Sequence, residues 1–300
     1  MTKITAPGIY DISADEYHAD PLKDSPGGPS LSSTGARKLL NKCPARFRYE
    51  QDNPEPPKRH YDFGHAAHRL VLGRGDGIEV IAANDFRTKA AKEARDEAHA
   101  AGRVPMLKAE FDKAQEMAAA VFAHPFAGRL FEGGKPERSL FWKDAEFGVW
   151  RRSRPDFMPQ SGTIFADYKT CASAQPDDLK KSIWNYGYHQ QAAWYLDSIR
   201  ALGIHDDPSL LFVFQEKEPP YLVTVAEADP VALGWGRIQN RKALSIFAEC
   251  VETGVWPGYV DDVLRLPLPG FAEGQLEHAH DLGAFDPEPP QTLESQGEAA

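Results

Sequence analysis

Positive charge is what this sequence has too little of: 34 Lys and Arg stand against 44 Asp and Glu, a formal net charge of -10. That excludes a protein that coats nucleic acid through a broad basic surface, because such binding depends on releasing many counterions. A local basic groove stays open. Cysteine is scarce as well. Cys43, Cys171 and Cys250 are far apart and form no C-x-x-C pair, so neither a disulfide framework nor a zinc knuckle is indicated. No apolar run reaches the roughly 20 residues that span a bilayer. The opening MTKITAPGIYDISADEYH lacks the basic-then-apolar order of a signal peptide, so a cytoplasmic location without membrane association is expected. No G-x-x-x-x-G-K-[ST] occurs, which excludes a P-loop motor.

What is present is an ordinary globular composition, 42% hydrophobic and 11% aromatic over 300 residues, enough to bury a sizeable core. LSSTGARKLLNKCPARFRYE predicts a helix capped by Ser or Thr, with Leu39, Leu40 and Phe47 on its apolar side and Pro44 as its end. YDFGHAAHRLVLG predicts a second helix closed by Gly73. Residues near 75–105 lack clean periodicity and suggest a helical excursion or flap. From Leu107 to Phe122 helical spacing returns. ERSLFWK, EFGVWRRSRPDFM and GTIFADYKT then read as strands. One long helix over about 177–202, strands LLFVFQE and YLVTVAE, and a helix over about 230–253 follow. The order implies an α/β core with a helical N-terminal part. The expected layout is one domain over 1–285, helical in 1–135 with the sheet core in 136–260. The acidic, proline-rich 286–300 cannot offset its ordering entropy and is expected to be disordered.

The chemistry concentrates in RPDFMPQSGTIFADYKT. Pro155-Asp156 is expected to end one strand and Asp167-Tyr168-Lys169 to lie on the next. Residues two apart on a strand share a face, so Asp167 and Lys169 point together while Tyr168 points away. Two converging carboxylates repel unless a cation sits between them, and an oxygen-only pair with room for water suits Mg2+ or Mn2+. Lys169 then fits as the group that orients or deprotonates an attacking water and steadies developing negative charge.

With these residues the chain resembles the PD-(D/E)xK nucleases, an α/β fold with a central mixed sheet flanked by helices. The spacing alone is a weak signal; its neighbours strengthen it. Gly64-His65-Ala66-Ala67-His68 matches the G-x-x-x-H helix of the RecB-like branch, Gln191-Ala192-Ala193-Trp194-Tyr195 its Q-x-x-x-Y, and LSSTGARKLLNKCP its serine-rich helix ending in Cys-Pro. Within the branch the chain is most similar to phage and prophage exonuclease VIII, or RecE-like, enzymes. The resemblance implies metal ligation by His68, Asp156, Asp167 and the Tyr168 carbonyl, with Glu137 as a further acidic position at the start of the first strand. It also implies a catalytic Lys169, a Gln191 that holds the water or the lysine, and Tyr195 in support. Arg152 and Arg154, from the basic run beside Pro155, are then candidate DNA contacts. Each of these residues also has a purely structural reading: His68 or its competitor His65 as a core histidine, Glu137 as a strand-end charge, Gln191 and Tyr195 as helix packing, and basic clusters such as Arg37, Lys38, Lys42, Arg46 and Arg48 as a solvated face.

The resemblance further implies 5'-to-3' digestion of duplex DNA ends during recombination, a homo-oligomeric ring, and a single-strand annealing protein as partner. Relatives that hold an iron-sulfur cluster need four cysteines, which excludes that cluster here. Two rival readings remain: a restriction-type or structure-specific endonuclease, and a non-catalytic DNA-end-binding module. The second would be expected to have lost Lys169 or an aspartate.

Overall fold

The strands expected in the middle of the chain form, and they assort into two sheets. The computed structural model describes residues 3–25, 27–53, 62–73 and 77–286, the side chains of 62–65 aside. In chain order the N-terminal elements are β1 (Gly8–Tyr10), α1 (Ala14–His18), β2 (Ser30–Ser32), α2 (Ser33–Asn41), α3 (Pro44–Asp52), α4 (Asp62–Leu72), β3 (Ile78–Ile81), α5 (Lys89–Ala100), β4 (Val104–Leu107) and α6 (Lys108–Ala123). Then come β5 (Gly134–Pro136), β6 (Ser139–Lys143), β7 (Trp150–Ser153), β8 (Phe157–Pro159), β9 (Ile164–Cys171), α7 (Pro176–Asn185), α8 (Tyr188–Ala201), β10 (Ser209–Glu216), β11 (Val223–Glu227), α9 (Pro230–Thr253) and α10 (Gly270–Asp281). One sheet runs β1-β6-β7-β2, a second β11-β10-β9-β8-β5, and β3 and β4 pair separately. The second sheet is mixed: β9 and β10 are parallel, while β8–β9, β5–β8 and β10–β11 are antiparallel. The expected α/β architecture with a mixed sheet and flanking helices is the one observed.

Two compact units divide the chain, residues 1–258 and 259–300. In the second unit α10 buries no residue. The acidic tail from 287 onward lies outside the described residues. Among the described residues no helix is long and apolar enough to cross a membrane.

The faces of the mixed sheet follow from strand alternation. Phe165, Phe212 and Phe214 pack with Trp194, Leu196 and Ile199 of α8. Ala166, Tyr168 and Val213 face the other way, onto Ala67 and Val71 of α4 and Met117 and Val121 of α6. In the parallel register Asp167 lies beside Phe212 and Lys169 beside Phe214. The charged pair therefore sits on the α8 face among phenylalanines. Helix α8 is buried on nearly every side, from His189 to Ile199, packing on α2, α9, β6, β7 and β10.

Several local expectations change. Pro44 does not end the N-terminal helix; it begins α3, where its fixed φ and missing N–H suit the first turn. The stretch 75–105 holds a parallel strand pair, β3 and β4, around α5. The single helix expected over 177–202 is broken at Gly187, which adopts φ +64; a Cβ there would stand 2.5 Å from Arg37 Cδ. Helix α9 matches its expected span, with the Asp229 side chain accepting from the Ala232 N–H and Gly254 closing it in the left-handed conformation.

Candidate active site

Antiparallel β8 pairs with β9 at Phe157–Ala166, so the edge of β9 beyond Ala166 is where Asp167, Tyr168 and Lys169 stand. Asp156 precedes β8 rather than ending a strand, and its Oδ2 accepts the Tyr168 N–H at 2.7 Å. Helix α4 approaches from one side: His68 Nε2 lies 3.2 Å from Asp156 Oδ2, and its Nδ1 is 3.9 Å from Glu137 Oε1. From the other side α8 brings Gln191, whose Nε2 donates to Asp167 Oδ2 at 2.8 Å. Tyr195, one turn on, donates its hydroxyl to the Arg154 carbonyl at 3.2 Å. Lys169 Nζ forms an ion pair with Asp167 Oδ1 and lies 5.4 Å from the Tyr188 ring centroid.

His68, Glu137, Asp156, Asp167, Tyr168, Lys169, Gln191 and Tyr195 are thus brought together. The side chain of His65 lies outside the described residues. Glu137 does not start a strand: it sits between β5 and β6 at φ +49, a left-handed backbone that costs a non-glycine residue energy and is often retained at functional positions. Its N–H donates to the Asp156 carbonyl at 2.8 Å, and Arg154 Nη2 donates to its Oε2 at 3.2 Å.

Arg152 and Arg154 correct their expected role as DNA contacts. The Arg152 side chain is 5% exposed, pairs with Asp20 and donates to Ser30, while Arg154 is 8% exposed and is spent on Glu137, Ser139 and the Ile12 carbonyl. Neither guanidinium offers a free face, because unpaired buried charge is costly and each is anchored by carboxylates and oxygens. Sequence reading also passed over Arg37 and Tyr188. Arg37 stood in a basic cluster that reads as a solvated face, and Tyr188 was assigned no role. Only their approach to Lys169 and Gly187 distinguishes them.

The electrostatics separate the two aspartates. Burial, then the nearby Asp156 carboxylate, push Asp167 up to about 6, against the pull of Lys169. Burial would also raise Asp156, but His68, Lys169 and the Tyr168 N–H outweigh it and hold it below the usual range. Burial alone would lower His68 and Lys169; the carboxylates beside them raise both. Two carboxylates driven apart in this way mark a site that lacks enough positive charge. Asp167 Oδ1 is buried and accepts no hydrogen bond of ordinary geometry, despite its ion pair with Lys169.

A hard divalent cation fits this donor chemistry: two carboxylates, one with an unsatisfied oxygen, a carbonyl at the open strand edge and an imidazole. The cage is not closed, however. Among the described residues no three of the His, Cys, Asp and Glu side chains converge as a ready ligand group. His68 and Lys169 occupy the carboxylates instead.

Comparisons with known proteins bear on the fold and the family. A solved structure from Eubacterium rectale, named as a putative exonuclease, superposes with a TM-score of 0.60 over 88% of this chain and 98% of its own, at 13% identity, a likeness that shows the fold. Another, named SSO0001, reaches a TM-score of 0.31 at 14% identity over 71% of this chain and 75% of its own, and carries no argument. No curated protein matches the sequence. Residues 32–264 match the family described as a PDDEXK-like domain of unknown function (DUF3799), a span that holds every candidate residue above, and the chain belongs to that family.

Proposed function

We propose that this chain is a divalent-metal-dependent deoxyribonuclease of the RecE-like kind, digesting linear duplex DNA from its 5' ends to prepare strands for recombination by annealing. The observation that carries the reading is the convergence of two carboxylates, Asp156 and Asp167, beside a lysine that shares a strand face with Asp167. The PDDEXK-like family and a fold neighbour named as a putative exonuclease support it.

Mg2+, with Mn2+ as substitute, would be held by Asp156, Asp167, the Tyr168 carbonyl and His68, with Glu137 behind His68. When bound, such a cation neutralises charge on the phosphate and lowers the pKa of water near it. The chain's own residues do the positioning. The Tyr168 N–H fixes Asp156; because the N–H and C=O of one strand residue face the same edge, the Tyr168 carbonyl points there too. Gln191 fixes the plane of Asp167. Lys169, held charged by Asp167 and Asp156, donates to negative charge developing on the phosphate and orients the attacking water. Arg154 anchors Glu137 and, through its carbonyl, Tyr195.

A closed homo-oligomer would let an acidic chain hold on to DNA between cuts, since a ring turns small basic patches into a continuous channel. A single-strand annealing protein is the expected partner and the cytoplasm the expected location. The test is digestion of duplexes labelled at the 5' or the 3' terminus, beside a closed circle, with light scattering for mass. Early release of 5' label, an intact circle and a mass of three or four chains are expected. A monomer that nicks the circle reassigns the site to an endonuclease.

A further inference from the structure

Two large aromatic side chains stand in water beside the site, and the chemistry above uses neither. Trp184 is 70% and Tyr186 63% exposed, at the junction of α7 and α8. Rings of this size usually bury themselves, so an ordered exposed pair next to a reactive centre points to a ligand with flat apolar faces. Both rings are fixed from behind. Tyr186 stacks on Tyr188 with centroids 5.5 Å apart, and Tyr188 lies against Lys169. Trp184 stacks on His189 at 6.0 Å and 12° between planes, and His189 is itself pinned by the Ile183 carbonyl and Gln239.

Most basic side chains on α2, α3 and α7 are held in ion pairs. Lys38, Lys42 and Arg46 share Glu50, Arg48 pairs with Asp52, and Lys180 and Lys181 of α7 pair with Asp177 and Asp178. Arg37 differs: it hydrogen-bonds the Ser33 and Thr34 hydroxyls and the Gly187 carbonyl, and the carboxylate that acts on it is Asp167 of the site itself. A guanidinium outside any ion pair among the described residues, bonded to the Gly187 carbonyl next to Tyr186 in the chain, matches with the exposed rings what an unpaired nucleic-acid strand requires: stacking for its bases and a cation for its backbone. Paired bases keep their faces inside the helix, so the exposed rings suit a single strand and not a duplex.

We propose that Trp184 and Tyr186 form a stacking ledge for unpaired DNA bases next to the scissile phosphate, with Arg37 binding a backbone phosphate. The proposal rests on the reading that DNA is the substrate, but its test does not need cleavage. The full-length protein is titrated in Ca2+ with a labelled single-stranded oligodeoxynucleotide, and binding is followed by fluorescence anisotropy. Trp184→Ala and Tyr186→Ala should each weaken binding about tenfold, the scale of one lost base stack, and Trp184→Phe should restore most of it. Phe126→Ala is the control: Phe126 is 48% exposed beside Ile164 at the far end of β9, and its loss should leave binding unchanged. Unaltered affinity in both ledge variants overturns the proposal. So does a fall in oligomeric mass without loss of DNA affinity, which would make the ledge a protein interface. Ledge-dependent binding without cleavage by the wild type would leave the ledge standing and sink the nuclease reading instead.

Discussion

Helix α8 touches two buried charge clusters, and they are built on opposite principles. Through Trp194 it meets Arg151, whose guanidinium carbon lies 4.1 Å from that ring and 4.6 Å from Trp142. Asp144 and Asp197 supply two carboxylates, at 3.2 and 3.5 Å, and Arg241 adds a second cation on Asp144 at 3.0 Å. Opposite charges alternate there, although Arg151 Nε and Nη2 donate no hydrogen bond of ordinary geometry. Three residues earlier on the same helix, Gln191 meets Asp167, where burial and the converging Asp156 carboxylate outweigh Lys169 and His68 and push Asp167 up to about 6. The difference teaches how to read buried charge. An ion matched by its opposites serves the fold, while like ions forced together store a mismatch that a ligand can relieve.

The largest effect should come from the mismatched cluster and fall on activity. Lys169→Ala should reduce phosphodiester hydrolysis by at least about a hundredfold, the usual scale for a lost proton-transfer or charge-stabilising group, with an unchanged circular dichroism spectrum. Asp167→Asn should also abolish cleavage, yet leave the thermal midpoint equal or higher, since it removes a buried like charge. The matched cluster should behave the other way. Asp144→Ala takes from Arg151 the nearer of its two carboxylates and removes the cap on the Glu146 and Phe147 N–H groups, and should cost about 3–5 kcal/mol in denaturant unfolding. If Asp167→Asn destabilises as much as Asp144→Ala, the comparison fails.

A smaller effect is expected at His68, which contacts Asp156 without being the catalytic group. His68→Ala should raise the Mg2+ or Mn2+ concentration needed for half-maximal cleavage by about tenfold, within the range for weakened metal shells, measured by metal titration at fixed DNA. An unaltered metal requirement removes His68 from the ligand set.

The smallest belongs to a surface cluster, a third case. Glu50 accepts from Lys38, then Lys42 and Arg46, which hold its carboxyl down at about 2. Its folded value is below its unfolded one, so its contribution to stability is present above about 4.5 and is lost as pH falls towards 2. Glu50→Gln should therefore lower the melting temperature slightly near neutral pH, and the gap from wild type should close across that window. A gap that persists at pH 2 would assign the effect to packing.

Much of the site could be read before any fold was known. Asp167 and Lys169 share a face because strand side chains alternate, and Gln191 and Tyr195 share one because helix positions four apart align. The ends of α6 and α9 followed from spacing and caps for the same reason: these rules act within a few residues. Where the outcome depended on distant partners, sequence was silent or misleading. Pro44 suits either side of a helix boundary, and α3 claimed it. Gly187 broke the long helix where Arg37 passes against it, 150 residues away in sequence.

The sequence by itself determined the two carboxylates, the lysine that shares a face with Asp167 and the strand that carries that pair, since periodicity and residue chemistry suffice for that. Tertiary structure alone decided which charges are free. Arg152 and Arg154 look like a DNA-binding run until Asp20, Ser30 and Glu137 are seen to hold them inside the fold. Arg37 looks like one solvated cation among five until the others are seen to be paired with Glu50 and Asp52. The proton affinity of Asp167 likewise depends on neighbours from β10, α8 and the Asp156 loop. Burial and charge pairing are sums over contacts between remote segments, and no local pattern carries them.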